Sequence, residues 1–211
     1  MVRRGALLGF AILAALLFDS PLSADTSTFT KIGGDGRELP HNRPFGSGAD
    51  DWVCLKDERS GLVWEVKTTD NGLRDRRWTY TPYDSNPLTN GGYSGYKDTT
   101  SGQCRRDLVE AGSCNTEAYV RAVGASGLCG FDDWRLPTVR ELVAMAPETS
   151  NALPGVTPHR LPNTESGWYW TGAEQVGVTN FSRVILLPPA GGPTFYDGSY
   201  LVVAVRGNSE E

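Results

Sequence analysis

Arg135 stands in the most chemically loaded stretch of the chain, Asp132-Asp133-Trp134-Arg135, with Glu141 six residues further on. A guanidinium among acids beside an indole could grip an anion, because its planar fork makes paired hydrogen bonds to a carboxylate or phosphate. The same residues also have structural roles open to them: Arg135 on a carboxylate or on loop carbonyls, Trp134 in the core, and Glu141 closing a helix cap opened by Thr138. The structural assignment is the expectation, since each role follows from position. Hydrolytic chemistry finds less support. His41 lies in a Gly/Pro-rich stretch and His159 between Pro158 and Arg160, so neither sits in a recognisable nucleophile–base setting. Carboxylates are numerous, and a glycosidase-like pair needs two of them about 5 to 10 Å apart in a pocket. Asp70-Asn71-Gly72 with Asp75 offers oxygen ligands for calcium on a tight turn, yet lacks the spacing of a full calcium loop. A plain turn, with no metal and no cofactor, is the expectation.

A second cluster is basic and aromatic. Arg74, Arg76 and Arg77 precede Trp78, Tyr80, Tyr83, Tyr93 and Tyr96 in a polar, Gly-rich stretch over 67–103, too long to be an idle connection in a compact domain. Rings in a polar loop bring large contact area at low entropic cost, and loops on rigid scaffolds carry binding surfaces. Arg74, Arg76, Arg77, Trp78, Tyr80 and Tyr96 are therefore the candidate ligand-binding residues. The alternative is that the arginines are solvated, partly neutralised by Asp70 and Asp75, while the rings pack the loop onto the domain.

Four cysteines, Cys54, Cys104, Cys114 and Cys129, admit three pairings. Cys104 and Cys114 enclose a short polar loop and read as a local pair, leaving Cys54 to reach Cys129. Zinc is the rival reading, but no C-x-x-C pair is present and neither histidine lies near a cysteine. The disulfide reading agrees with the N-terminus, where Arg3 and Arg4 precede an apolar run over 6–18 too short to span a bilayer comfortably, followed by Pro21, Ser23 and Ala24. This reads as a signal peptide over 1–24, with an uncleaved anchor as the alternative; export places the protein in the periplasm, on the cell surface or in the medium, where disulfides persist. Losing Arg3, Arg4 and Asp19 makes the net charge of −5 one unit more negative. A mildly acidic chain without a concentrated basic face does not suit nucleic acid.

The elements that position these groups follow from pattern. Residues 25–50 are Gly/Pro-rich and read as an extended lead-in, with a strand only at Thr28–Ile32. The core is expected to begin at Trp52. After a turn at Asp57–Gly61 comes a strand over Leu62–Val66, including Trp64 and Glu65. Cys114–Val123 reads as a helix capped by Asn115 or Thr116 and ended by Gly124. A second helix starts from the capping box of Thr138 and Glu141, carries a stripe of Leu142, Val143 and Ala146, and stops at Pro147. Trp168–Thr171, Phe181–Leu187 and Tyr200–Arg206 read as strands, and the run Leu201–Val205, apolar on both faces, as central in its sheet. Two helices followed by strands give an α+β domain.

Several of these words occur together elsewhere. Phe29-Thr30-Lys31-Ile32, Trp52 to Cys54, Trp64-Glu65-Val66-Lys67-Thr68, Gly72-Leu73-Arg74-Asp75, Cys114-Asn115-Thr116, Gly127 to Thr138 with Glu141-Leu142, Tyr169-Trp170 and Val205-Arg206-Gly207 make the sequence resemble the Lcl C-terminal domain family, a bacterial domain of unknown function. The resemblance implies a C-type lectin-like fold over 51–208: two short helices, a mixed or antiparallel sheet and long loops. Trp64, Glu65, Trp134, Arg135, Thr138 and Glu141, which stand in these words, are read from their positions as structural. Formylglycine-generating enzymes share the R-L-P-T-x-x-E signature, but no cysteine follows Cys129 to serve their chemistry. The calcium-dependent lectin words E-P-N, Q-P-D and W-N-D are absent as well. Because the family is named for a bacterial surface adhesin, the resemblance favours an exported, non-catalytic domain that binds a glycan or protein. A secreted hydrolase with a carboxylate-based site and a structural envelope component are the alternatives, and fold-level analogy alone does not choose among them.

Overall fold

A computed structural model describes residues 29–46, 50–90, 92–97, 102–145, 161–172, 183–187, 194–195 and 198–208. The signal-peptide stretch 1–24, His159, Pro147 and Phe181 lie outside these residues. Among the described residues, no helix is long and apolar enough to cross a membrane.

The fold is built on Trp52–Asp57, an apolar strand buried on both faces, as the middle of a sheet requires. It is β3 of an antiparallel sheet in the order β2-β1-β3-β4-β8, with β1 at Phe29–Gly33, β2 at Glu38–Leu39, β4 at Val63–Glu65 and β8 at Val205–Arg206. The Gly/Pro-rich segment read as a lead-in thus supplies two strands. Gly33, Gly36 and the Asp35 carboxylate shape the β1–β2 turn, and Ile32 enters the core. Between Ile32 and Gly33 the β1–β3 register shifts, so that Ile32 faces Cys54 and Gly33 faces Trp52. The unpaired residue is Val53, a bulge that turns Val53 and Cys54 to the same side.

Two cores flank the sheet. Val53, Cys54 and Val63 pack with Ala118, Tyr119 and Val123 of helix α1, Thr116–Ala125. Trp52, Leu55, Trp64 and Val66 pack with Leu142 and Met145 around helix α2, Val139–Ala144. A second antiparallel sheet comprises β5 at Gly167–Thr171, β6 at Arg183–Leu187 and β7 at Thr194–Phe195, in the order β5-β6-β7. The arrangement is α+β. Both disulfides form as the cysteine spacing suggests, Cys54–Cys129 and Cys104–Cys114.

Three readings of individual elements change. Gly124 does not end α1; it lies inside the helix, where a Cβ would sit 2.6 Å from the Asp132 carbonyl oxygen, and the left-handed Gly127 makes the exit. The buried face of α2 is Leu142 with Met145, whereas Val143 is 41% exposed. The run Val202–Val205 is buried, but β8 ends the five-strand order. Its burial comes from irregular pairing instead: Arg135 exchanges two backbone bonds with Val205, and Leu201 bonds to Trp168 and Trp170.

Candidate functional site

The three arginines proposed as a ligand-binding set are each engaged within the fold. Arg74 donates to the carbonyls of Val53 and Val66, mooring the long loop to the sheet. Arg76 pairs with Glu165 at 2.8 Å. Arg77 pairs with Asp75 at 2.9 Å and also donates to the Asn71 side chain. The Arg77 guanidinium holds the Asp75 carboxyl down at about 2, against an opposing push from burial, with the backbone amides of Arg77 and Asn71 helping. This Asp70–Asp75 segment closes as a turn on its own backbone: Gly72 N–H donates to Asp70, and Asn71 takes a left-handed φ of 60°. Trp78 packs against the first core and donates its indole N–H to the Gly72 carbonyl.

Tyr80 is 0% exposed, which corrects its reading as a surface residue. Its ring packs on Tyr119 with centroids 4.8 Å apart, and its backbone pairs with Tyr200, so a strand-like bridge draws it beneath the loop. Burial pushes its phenol well above the ordinary tyrosine range. Next to it lies a polar set that the sequence pattern did not reveal. Alternation along Val63, Glu65 and Lys67 aims all three towards α1, and there Lys67 Nζ lies 2.9 Å from Glu65 and donates to the Tyr119 hydroxyl at 2.8 Å. The hydroxyl donates to the Glu65 carboxylate, which also accepts the Ala204 N–H at 2.9 Å. Burial pushes the Lys67 ammonium below its ordinary range, with Glu65 pulling it back up. Glu65 lies 54 positions from Tyr119 and 139 from Ala204, so no local signal joins them.

Above this set, residues 83–90 and 92–97 form a loop framed by polar side chains. The Asp84 carboxylate accepts from the Asn86 N–H and the Thr89 hydroxyl, while the Asn86 and Asn90 side chains accept from the N–H groups of Leu88 and Gly92. These are the local side-chain-to-backbone turns that Asp and Asn favour. The loop's feet rest on the start of α1. Thr116 exchanges bonds with Tyr83, Glu117 accepts from Ser85, and the Asn115 side chain donates to the Lys97 carbonyl. On this frame Leu88 is 67%, Tyr93 48% and Tyr96 40% exposed, the two rings meeting edge to face at 6.2 Å. Of the candidate ligand-binding residues, only Tyr96 belongs to this crest; Leu88 was missed, although the Asp84-x-Asn86 spacing beneath it marks a turn in sequence.

The Arg135 motif has the structural arrangement. Arg135 makes a two-pronged bond to Glu141 at 2.7 and 2.8 Å and donates to the Gly207 carbonyl. Thr138 and Glu141 complete the reciprocal cap of α2. Burial pushes the Glu141 carboxyl up, but the Arg135 fork and the Thr138 amide outweigh it and hold it below its ordinary value. Trp134 is buried in the first core and bonds to the Phe131 carbonyl, and Trp64 is buried in the second. Among the described residues no group of three or more His, Cys, Asp or Glu side chains is placed to hold a metal ion.

The model of the Lcl C-terminal domain family matches residues 53–206. Comparison with curated proteins and with solved structures returns no match.

Proposed function

The chain belongs to the Lcl C-terminal domain family, and on that premise we propose that it is an exported, non-catalytic binding domain that recognises a glycan or protein ligand through the 83–97 loop, as an adhesin does. The observation that carries the reading is the pairing of Tyr93 with Tyr96, both rings and Leu88 being exposed on a loop that the Asp84, Asn86 and Asn90 side chains brace from within. Large rings held in place before contact lose little entropy on binding, which is how tyrosine-rich recognition loops work. Two disulfides and the leader-like N-terminus support export, and two short helices on an antiparallel sheet accord with a C-type lectin-like scaffold.

Glycan and protein arrays probed with residues 25–211 test this. A ligand found there is expected to lose about tenfold or more in affinity with Y93A/Y96A, the size of effect that hot-spot aromatics produce, and little with R76A. Binding that is indifferent to Y93A/Y96A moves recognition elsewhere, and an empty result on both arrays removes the reading.

A further inference from the structure

We infer that the Cys104–Cys114 bridge is a reducible clasp for the 83–97 loop, opened by a dithiol at the Cys104 sulfur while the rest of the domain stays folded. Its use as a control on ligand binding rests on the reading above; the opening itself does not.

The two bridges differ in access. Cys54 and Cys129 are both fully buried, whereas Cys104 is only partly buried and its partner Cys114 lies 2% exposed beneath it. Exchange needs a thiolate to reach one sulfur in line with the bond, so access decides which bridge opens first. The attacking thiolate bonds to Cys104 Sγ and breaks the Sγ–Sγ bond, and Cys114 leaves as a thiolate that takes up a proton. The second thiol of the reductant then displaces Cys104, so the dithiol is oxidised to its disulfide and the two cysteines are reduced by two electrons.

Position supplies the consequence. The Cys114 carbonyl accepts both the backbone N–H and the hydroxyl of Thr81. Asn115, Thr116 and Glu117 follow at once and grip Lys97, Tyr83 and Ser85, so one short segment holds both feet of the loop. Across the bridge, Gln103 exchanges two backbone bonds with Thr79, and Gly102 lies so close that a Cβ there would be 2.4 Å from the Cys114 carbonyl oxygen. The sulfur link therefore clamps 79–81 between residues 102–104 and 114–116. The five-stranded sheet, Cys54–Cys129 and the Arg135–Glu141 lock make none of these contacts.

The test exposes the oxidised protein to a fixed concentration of dithiothreitol for increasing times, maps alkylated cysteines by mass spectrometry and follows amide hydrogen exchange on the same samples. Cys104 and Cys114 are expected to label about tenfold faster than Cys54 and Cys129. At that point the amides of Thr81, Tyr83, Asp84 and Tyr96 are expected to exchange about tenfold faster, with those of Ile32 and Leu55 unchanged. C104S/C114S should reproduce the fast exchange without reductant. Simultaneous opening of both bridges, an unchanged loop after Cys104 and Cys114 are labelled, or a C104S/C114S chain that does not fold overturns the inference. Because hydrogen exchange needs no ligand, an empty array leaves this result standing. Ligand affinity that survives reduction, with the loop loosened, separates the clasp from recognition.

Discussion

Around Tyr119, ionisable groups lie inside the protein under an apolar cover; in the 83–97 loop, polar groups build the frame and Leu88, Tyr93 and Tyr96 face water. The first arrangement works only because every charge meets a partner, since an unmatched charge in a core is severely penalised. The second works because the loop needs no core: Asp84, Asn86 and Asn90 satisfy its backbone locally. One region closes its polar groups on one another, the other uses them to set a shape.

Breaking the inner set should show the largest effect. Glu65→Leu leaves the Lys67 ammonium buried beside Tyr119 without its carboxylate, and a loss of about 3 to 5 kcal/mol in urea unfolding is expected, with Glu65→Leu/Lys67→Met recovering most of it. A double variant no better than the single one would contradict the account of a matched pair.

Asp75 comes next, a fully buried carboxylate accepting from Arg77 and from two backbone amides. Asp75→Asn should lose about 1 to 3 kcal/mol near neutral pH by leaving donors unsatisfied. Its folded-state value of about 2 lies below the ordinary 3.8, so the stabilisation is complete above that ordinary value and disappears as pH falls through about 2. The gap between wild type and Asp75→Asn should therefore close on acidification; a gap constant from pH 6 to pH 2 would reject the ion-pair origin.

Thr138→Ala removes one half of the α2 cap, and about 1 kcal/mol is expected from thermal or denaturant unfolding. Smallest of all, Tyr93→Ala/Tyr96→Ala should stay within about 0.5 kcal/mol of wild type, because exposed loop side chains contribute little to folding. A larger loss there would make the two rings part of the scaffold and erase the contrast between the regions.

What could be read beforehand divides along the same line. The α2 cap was legible because Thr138 and Glu141 meet within one helical turn, and the short Cys104–Cys114 loop because its ends are neighbours in the chain. Glu65 and Tyr119 meet across 54 positions, so no local pattern joins them. For Tyr80 the polar neighbours left surface and packing both open, and only its pairing with Tyr200, distant in sequence, carries it inward. β1 was legible in Thr28–Ile32, whereas β2 was obscured by the glycines and prolines around it; pairing with β1 overrides that composition. The crest residues themselves were half legible: Tyr96 stood out as a ring in a polar segment, while Leu88 carried no such contrast.

The bulge at Val53 has a mechanical meaning. In a regular strand Trp52 and Cys54, two positions apart, would point the same way. Here Trp52 joins Phe45 and Lys31 on one side of the sheet, while Cys54 is bolted to Cys129 on the other. Three consecutive residues are thereby pinned from above and below, like a plank nailed through both surfaces, and β3 can neither roll about its axis nor slide one notch without tearing out a fastening.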